Sequence, residues 1–143
     1  MMFDYHAAVR GAFFDISEVA ESADDIARQA RYLEDGVLFL RDGRIQALLP
    51  WQEGERFLHP QKGYRDLRGK LLLPGFVDAH VHYPQTEMIG AFGEQLLEWL
   101  TTYTFPVESQ FADADYAAEI AQFFVNQLLS HGTTTALIFC TLH

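Results

Sequence analysis

Cysteine is nearly absent: Cys140 stands alone, so neither an internal disulfide framework nor a zinc ribbon of paired cysteines can form, and a reducing compartment suits the chain. Basic residues are scarce as well. Ten Lys and Arg against twenty Asp and Glu give a formal charge of −10, which weighs against nucleic acid or an anionic membrane as the principal partner. A small or cationic target fits better. No apolar run approaches the roughly 20 residues of a membrane span, and the opening MMFDYHAAVR lacks the basic end and apolar core of a secretory leader. These absences point to a cytoplasmic protein without a membrane partner. What is present is 143 residues, 49% hydrophobic and 21% charged, the composition of a globular chain of about one domain.

The amino-terminal half reads as strands and turns. Ala7 to Ile16 mixes apolar residues with Arg10 and Gly11, which suits a strand bulged at its glycine. In SADDIARQA, Ser22 can cap a short helix whose positive end Asp24 and Asp25 favour; the competing reading of Ser17 to Tyr32 is a solvated loop. Val37 to Leu40 and Arg44 to Leu48, joined through Arg41-Asp42-Gly43, read as a hairpin, because Asp-Gly accepts the positive φ of a tight turn. Leu49 to Gly63 carries two prolines and two glycines without periodicity and reads as an irregular surface connection, with a strand following from Tyr64.

Composition shifts at Lys70, which divides the chain into an expected β segment, residues 1–69, and a second part, residues 70–143. The apolar run Leu71 to Val77, broken by Pro74-Gly75, leads into Asp78-Ala79-His80-Val81-His82 and reads as a buried strand ending in polar groups. Gly93 to Tyr103 sets Leu96, Leu97 and Leu100 at helical spacing, with Pro106 closing the helix. Asp113 to His131 reads as a longer helix, capped by Asp113, with Tyr116, Ile120, Phe123, Phe124 and Leu128 as its apolar stripe and Gly132 at its end. Thr133 to Phe139 then completes a strand, helix, strand order, whose two strands should be parallel with a right-handed crossover.

His80 and His82 stand two apart on the predicted strand, so their side chains leave one face about 6.5 Å apart along it and can converge on one metal. Neutral imidazole binds zinc, and a pair at the carboxyl end of a barrel strand leaves positions for other ligands and a water. Asp78 leaves the same face one step earlier and can orient an imidazole. Alone, the pair is a weak signal in a chain with six histidines, where two imidazoles satisfied by ordinary hydrogen bonds are the commoner case.

The surroundings change that weighting. LLLPGFVDAHVHYPQ, residues 71–85, resembles the first barrel strand of the amidohydrolase superfamily, whose signature is PGFxDxHxH. TEMIGAFGEQLLEWLTTYTFPVE, residues 86–108, and HGTTTALIFCTLH, residues 131–143, resemble its guanine deaminase family more narrowly, while Ala7 to Leu48 matches more loosely. The resemblance implies an α/β fold: part of a (β/α)₈ TIM-like barrel of the metal-dependent hydrolase type, with an amino-terminal β-sandwich segment. It also implies that His80 and His82 ligate Zn²⁺ and that Gln85 hydrogen-bonds a purine. The stretch His82, Tyr83, Pro84 and Gln85 would then border the substrate. A glutamine amide suits a base edge because it offers both donors and an acceptor; without the family, a loop-capping role is the commoner one.

The reaction so implied is hydrolytic deamination of guanine to xanthine and ammonia, with zinc lowering the pKa of a bound water. The family's proton-shuttling Glu, remaining His ligand and metal-bound Asp lie on later strands, so no catalytic acid or base is expected within these residues. Because a whole barrel takes about 250 residues, the chain is expected to be an amino-terminal fragment, inactive by itself, of an enzyme compatible with a homodimer.

Two readings compete. One is another amidohydrolase acting on a different purine, a pyrimidine or a triazine, and the other is a non-catalytic chain that only binds a metal or a partner. Nucleobase deaminases with a His/Cys/Cys zinc site are excluded by the single cysteine and the missing H-x-E motif. The remaining candidates have simpler readings. Glu94 and Glu98 read as solvated helix carboxylates, and His6, His59 and His131 as structural, with His131 suiting a helix carboxyl end. Trp99, Phe105, Phe123 and Phe124 read as core or interface aromatics and Cys140 as a small buried hydrophobe. His143 follows the second barrel strand, and the motif assigns it no role.

Overall fold

The computed structural model describes residues 4–16, 18–19, 21–93 and 95–142, so Glu94 and His143 lie outside the described residues. Its contacts divide the chain into two compact units, Met1–Pro74 and Gly75–His143. In the first, β1 (Ala7–Ile16) pairs antiparallel with β2 (Ala30–Arg41), and β2 with β3 (Arg44–Pro50). Strand β4 (Arg65–Leu72) lies parallel to β1, giving the order β3-β2-β1-β4. The β1–β2 register slips between Gly11 and Phe13, the bulge expected at the glycine. Asp42 and Gly43 turn the hairpin with φ of 50° and 71°. Helix α1 (Ala23–Gln29) forms where a solvated loop was the alternative, because Ser22 Oγ accepts the Asp25 N–H at 3.1 Å.

Two expectations change here. Strand β2 starts well before Val37, because Arg31, Tyr32 and Leu33 pair with Asp15, Phe14 and Phe13 and the Arg31 guanidinium grips Asp15. The connection after β3 is not wholly irregular: α2 (Trp51–Gly54) and a 3₁₀ turn (Glu55–Phe57) carry apolar side chains onto the sheet. Alternation puts Val37 and Phe39 on one face, where they form a fully buried core with Tyr5 and Ala8. Leu49, Trp51, Phe57 and Leu58 pack over it.

In the second unit, β5 (Phe76–His82) and β6 (Thr133–Phe139) are parallel, with α5 (Ala114–Ser130) between them in sequence. The buried strand expected from Leu71 onward is corrected in both respects. Leu71 and Leu72 end β4, and β5 leaves Phe76 and Val77 mostly exposed, since a two-stranded sheet bares apolar faces that a wider parallel sheet buries.

Pro106 does not close its helix. α3 (Leu96–Trp99), a π turn (Leu100–Thr104), α4 (Phe105–Glu108) and a 3₁₀ turn (Ser109–Ala112) run on through it. Proline lacks an N–H and crowds the carbonyl four residues back, and the π turn, in which the Phe105 N–H reaches the Leu100 carbonyl, widens the ladder just before it.

Asp113 caps α5 by accepting the Asp115 and Tyr116 N–H groups at 2.9 and 3.3 Å. Ile120 and Phe124 are buried, whereas Phe123 and Phe105 are about half exposed. Cys140 is exposed rather than buried, because it lies past the last paired residue of β6. His131 caps the carboxyl end of α5, its Nδ1 2.8 Å from the Gln127 carbonyl, and Gly132 ends the helix at φ 88°. Among the described residues no helix is long and apolar enough to cross a membrane.

Candidate functional site

The end of β5 carries both histidines to one place. The β5–β6 register slips between Asp78 and Val81, whose partners are Ala136 and Ile138, so the strand holds an extra residue just where His80 leaves it. Such a bulge bends a strand and re-aims its side chains. Asp78 Oδ1 accepts the His80 backbone N–H at 3.0 Å, so this carboxylate pins the bulge, where the sequence suggested it would reach an imidazole. The two Nε2 atoms end 3.1 Å apart, and the Phe139 ring packs against both imidazoles at 4.6 and 4.9 Å between centroids.

That spacing suits a metal. Two nitrogens bound at about 2.0–2.1 Å in a tetrahedral shell stand roughly 3.3–3.4 Å apart, close to what the pair already shows. Among the described residues no group of three or more His, Cys, Asp or Glu converges, so these residues bring together two candidate ligands, where a zinc site takes three or four from the protein.

The same histidines line a cleft of about 540 Å³, with Gln85, Trp99, Phe124 and His131 among its other walls. Its size and largely apolar lining suit a small molecule. The Trp99 indole N–H is tied to the Ala91 carbonyl at 3.0 Å, which fixes that wall. Gln85 sits in the 3₁₀ turn Tyr83–Met88 that follows His82, and Thr86 Oγ1 braces this turn by donating to the Tyr83 carbonyl at 2.6 Å. The Gln85 amide donates through Nε2 to Glu108 Oε1 at 3.3 Å.

Of the four residues that the sequence placed against a substrate, His82 and Gln85 line this cleft, and Tyr83 and Pro84 do not. Pro84 is buried, while the Tyr83 ring packs edge-on to Phe111 at 5.2 Å and against Phe124 at 6.1 Å, and burial pushes its phenol up. Beside them the Tyr116 hydroxyl donates to Glu87 at 2.5 Å; burial first, and this carboxylate second, push its phenol up to about 12. The sequence signalled neither Glu108 nor Phe139 as members of the site. Parallel pairing of β5 and β6 would have pointed to Phe139, the partner of His82 in the ladder, but nothing local marks Glu108.

Residues 71–142 match the amidohydrolase family. The chain is similar to guanine deaminase of Escherichia coli (strain K12), 48% identical over 136 residues, which are 95% of this chain and 31% of that protein. Among solved structures it is similar to E. coli guanine deaminase, with a TM-score of 0.92 at 48% identity over 96% of this chain and 32% of that one. It is also similar to guanine deaminase from C. acetobutylicum with bound guanine in the active site, with a TM-score of 0.76 at 26% identity over 96% of this chain and 30% of that one. The chain spans about a third of the length of these relatives. Its mixed α/β fold is theirs over that span, and the chain belongs to the amidohydrolase family.

Proposed function

We propose that the protein is a zinc-dependent guanine deaminase, which hydrolyses guanine to xanthine and ammonia, and that this chain supplies two metal ligands and one wall of the purine site. The observation that carries the reading is the meeting of His80, His82 and Gln85 in one cleft. Similarity to guanine deaminases over nearly the whole chain supports it.

His80 and His82 hold the zinc, and Phe139 backs their rings. When bound, zinc supplies Lewis-acid chemistry. His82 and Gln85 face the purine, and the buried Pro84 and packed Tyr83 carry the backbone between them. The described residues gather no third ligand, and we assign none of them as the acid or base; our reading is that this chain by itself is inactive. In the same reading, residues 70–143 form the first strand, helix, strand portion of a (β/α)₈ barrel. Residues 1–69 contribute to a β-sandwich, and the enzyme is a cytoplasmic homodimer.

The test is turnover by the full-length natural protein. Guanine should yield equimolar xanthine and ammonia, activity should vanish on chelation, and zinc should restore it. Deamination of another aminopurine or a triazine in preference to guanine would move the reading to a different aminohydrolase of the family. Absence of any deamination by the zinc-loaded protein would favour a non-catalytic role.

A further inference from the structure

We infer that Glu108 is a positioning residue that fixes which end of the Gln85 amide meets the substrate. This rests on the reading of Gln85 as a purine contact. An amide side chain can present either its oxygen or its NH₂ group, and rotation by half a turn exchanges them at little cost in shape. Glu108 removes that freedom. An ionised carboxylate only accepts hydrogen bonds, so beside it the Gln85 NH₂ must face Glu108 and the amide oxygen must turn away.

Both partners are held in place. Gln85 belongs to the 3₁₀ turn braced by Thr86, and Glu108 ends α4, the helical segment that continues through Pro106. Both side chains are only partly exposed, and Gln85 lines the cleft whereas Glu108 does not. The carbonyl oxygen, held away from Glu108, is therefore left for the cleft as the amide's one acceptor. It accepts a hydrogen bond from a ring N–H of the base, which selects a purine edge that presents a donor at that point and disfavours one that presents a lone pair.

The experiment is a double-substitution cycle in the full-length natural protein, with guanine as substrate and bound zinc as a control. Glu108→Ala should lower kcat/KM about 5- to 20-fold, mainly through KM, with zinc content unchanged. Glu108→Gln keeps the packing and one acceptor but lets the amide turn over, and it should fall between Glu108→Ala and the native enzyme. The deciding comparison is with Gln85→Ala: the double variant should be no slower than Gln85→Ala alone, because Glu108 acts only through that amide.

Losses that multiply, or a Glu108→Gln enzyme with native KM, would overturn the inference while leaving Gln85 as a substrate contact. A Gln85→Ala enzyme with native kcat/KM would remove the substrate contact itself, and the inference with it. If Glu108→Ala fails to fold, the cycle run with Glu108→Gln decides by the same criteria.

Discussion

The ring of Phe139 stacks on that of His82, with centroids 4.9 Å apart and 17° between their planes, and the two residues are also partners in the β5–β6 ladder. One backbone pairing thus sets both the imidazole and the surface it leans on. Because His80 also lies against Phe139, at 4.6 Å, the last residue of β6 restricts the ring rotations that would separate the two Nε2 atoms. The meeting of the two histidines is a property of the parallel sheet rather than of β5 alone.

Zinc retention in the full-length protein should report this directly. His80→Ala and His82→Ala are each expected to abolish stoichiometric zinc and activity. Phe139→Ala should keep the metal but weaken it roughly 10-fold, at the lower end of what the supports of metal ligands contribute. Chelator competition measures all three. Full zinc content in either histidine variant would refute the assignment of the ligands.

Gln85 should matter for recognition rather than for metal. Replacing it with Ala leaves a polar edge of the substrate unpaired, which costs roughly 1–3 kcal/mol. That corresponds to about 5- to 150-fold in kcat/KM. Zinc content should stay native, and an analogue lacking the group that Gln85 contacts should lose less. A variant that sheds its zinc, or that slows both substrates equally at constant KM, would place Gln85 among the metal's supports instead.

Local chemistry carried much of this structure in legible form. The Ser22 and Asp113 caps, the Asp42-Gly43 turn, the Gly11 bulge and the two-residue spacing of His80 and His82 each depend on residues within a few positions of one another. What stayed illegible depends on distant partners. The early start of β2 is set by pairing with β1, and the continuation of the helix through Pro106 by a π turn that no residue pattern announces. Glu108 joins the site only because the helical run folds back over the turn that follows His82. The exposure of Phe76 and Val77 has the same origin, since burial of a parallel strand is decided by its neighbours and not by its own apolarity.

Alkaline titration should single out Tyr116. Its phenol is pushed up to about 12, by burial first and by the bond to Glu87 second, against about 10 for an ordinary tyrosine. A folded value above the unfolded one means that the stabilising contribution is full below about pH 10 and is lost as pH rises through about 12. The ultraviolet difference spectrum between the native protein and Tyr116→Phe should therefore show a tyrosinate step near 12 rather than near 10. The stability gap between the two should shrink over the same range. A step near 10 would mean that the Tyr116 hydroxyl is solvated and not held by Glu87.

Gly54 tests the core of the first unit, where two effects oppose each other. Its backbone is helical, with φ −87° and ψ −33°, so no positive φ demands glycine, and Ala there should gain up to about 1 kcal/mol of helix propensity. Against this, an added Cβ would stand 2.2 Å from Val37 Cγ1 and 3.4 Å from Leu49 Cβ. Val37 is fully buried and β-branched, so it cannot swing aside without disturbing Phe39 and Tyr5. Overpacking of this kind costs about 1–3 kcal/mol, which exceeds the propensity gain. Gly54→Ala should therefore lower the urea midpoint of the full-length protein and speed amide exchange in β2. In a Val37→Ala background, where Cγ1 is gone, the same substitution should be neutral or stabilising. A raised midpoint for Gly54→Ala alone would show that the sheet yields at Val37 and that the contact at Gly54 is not what requires glycine.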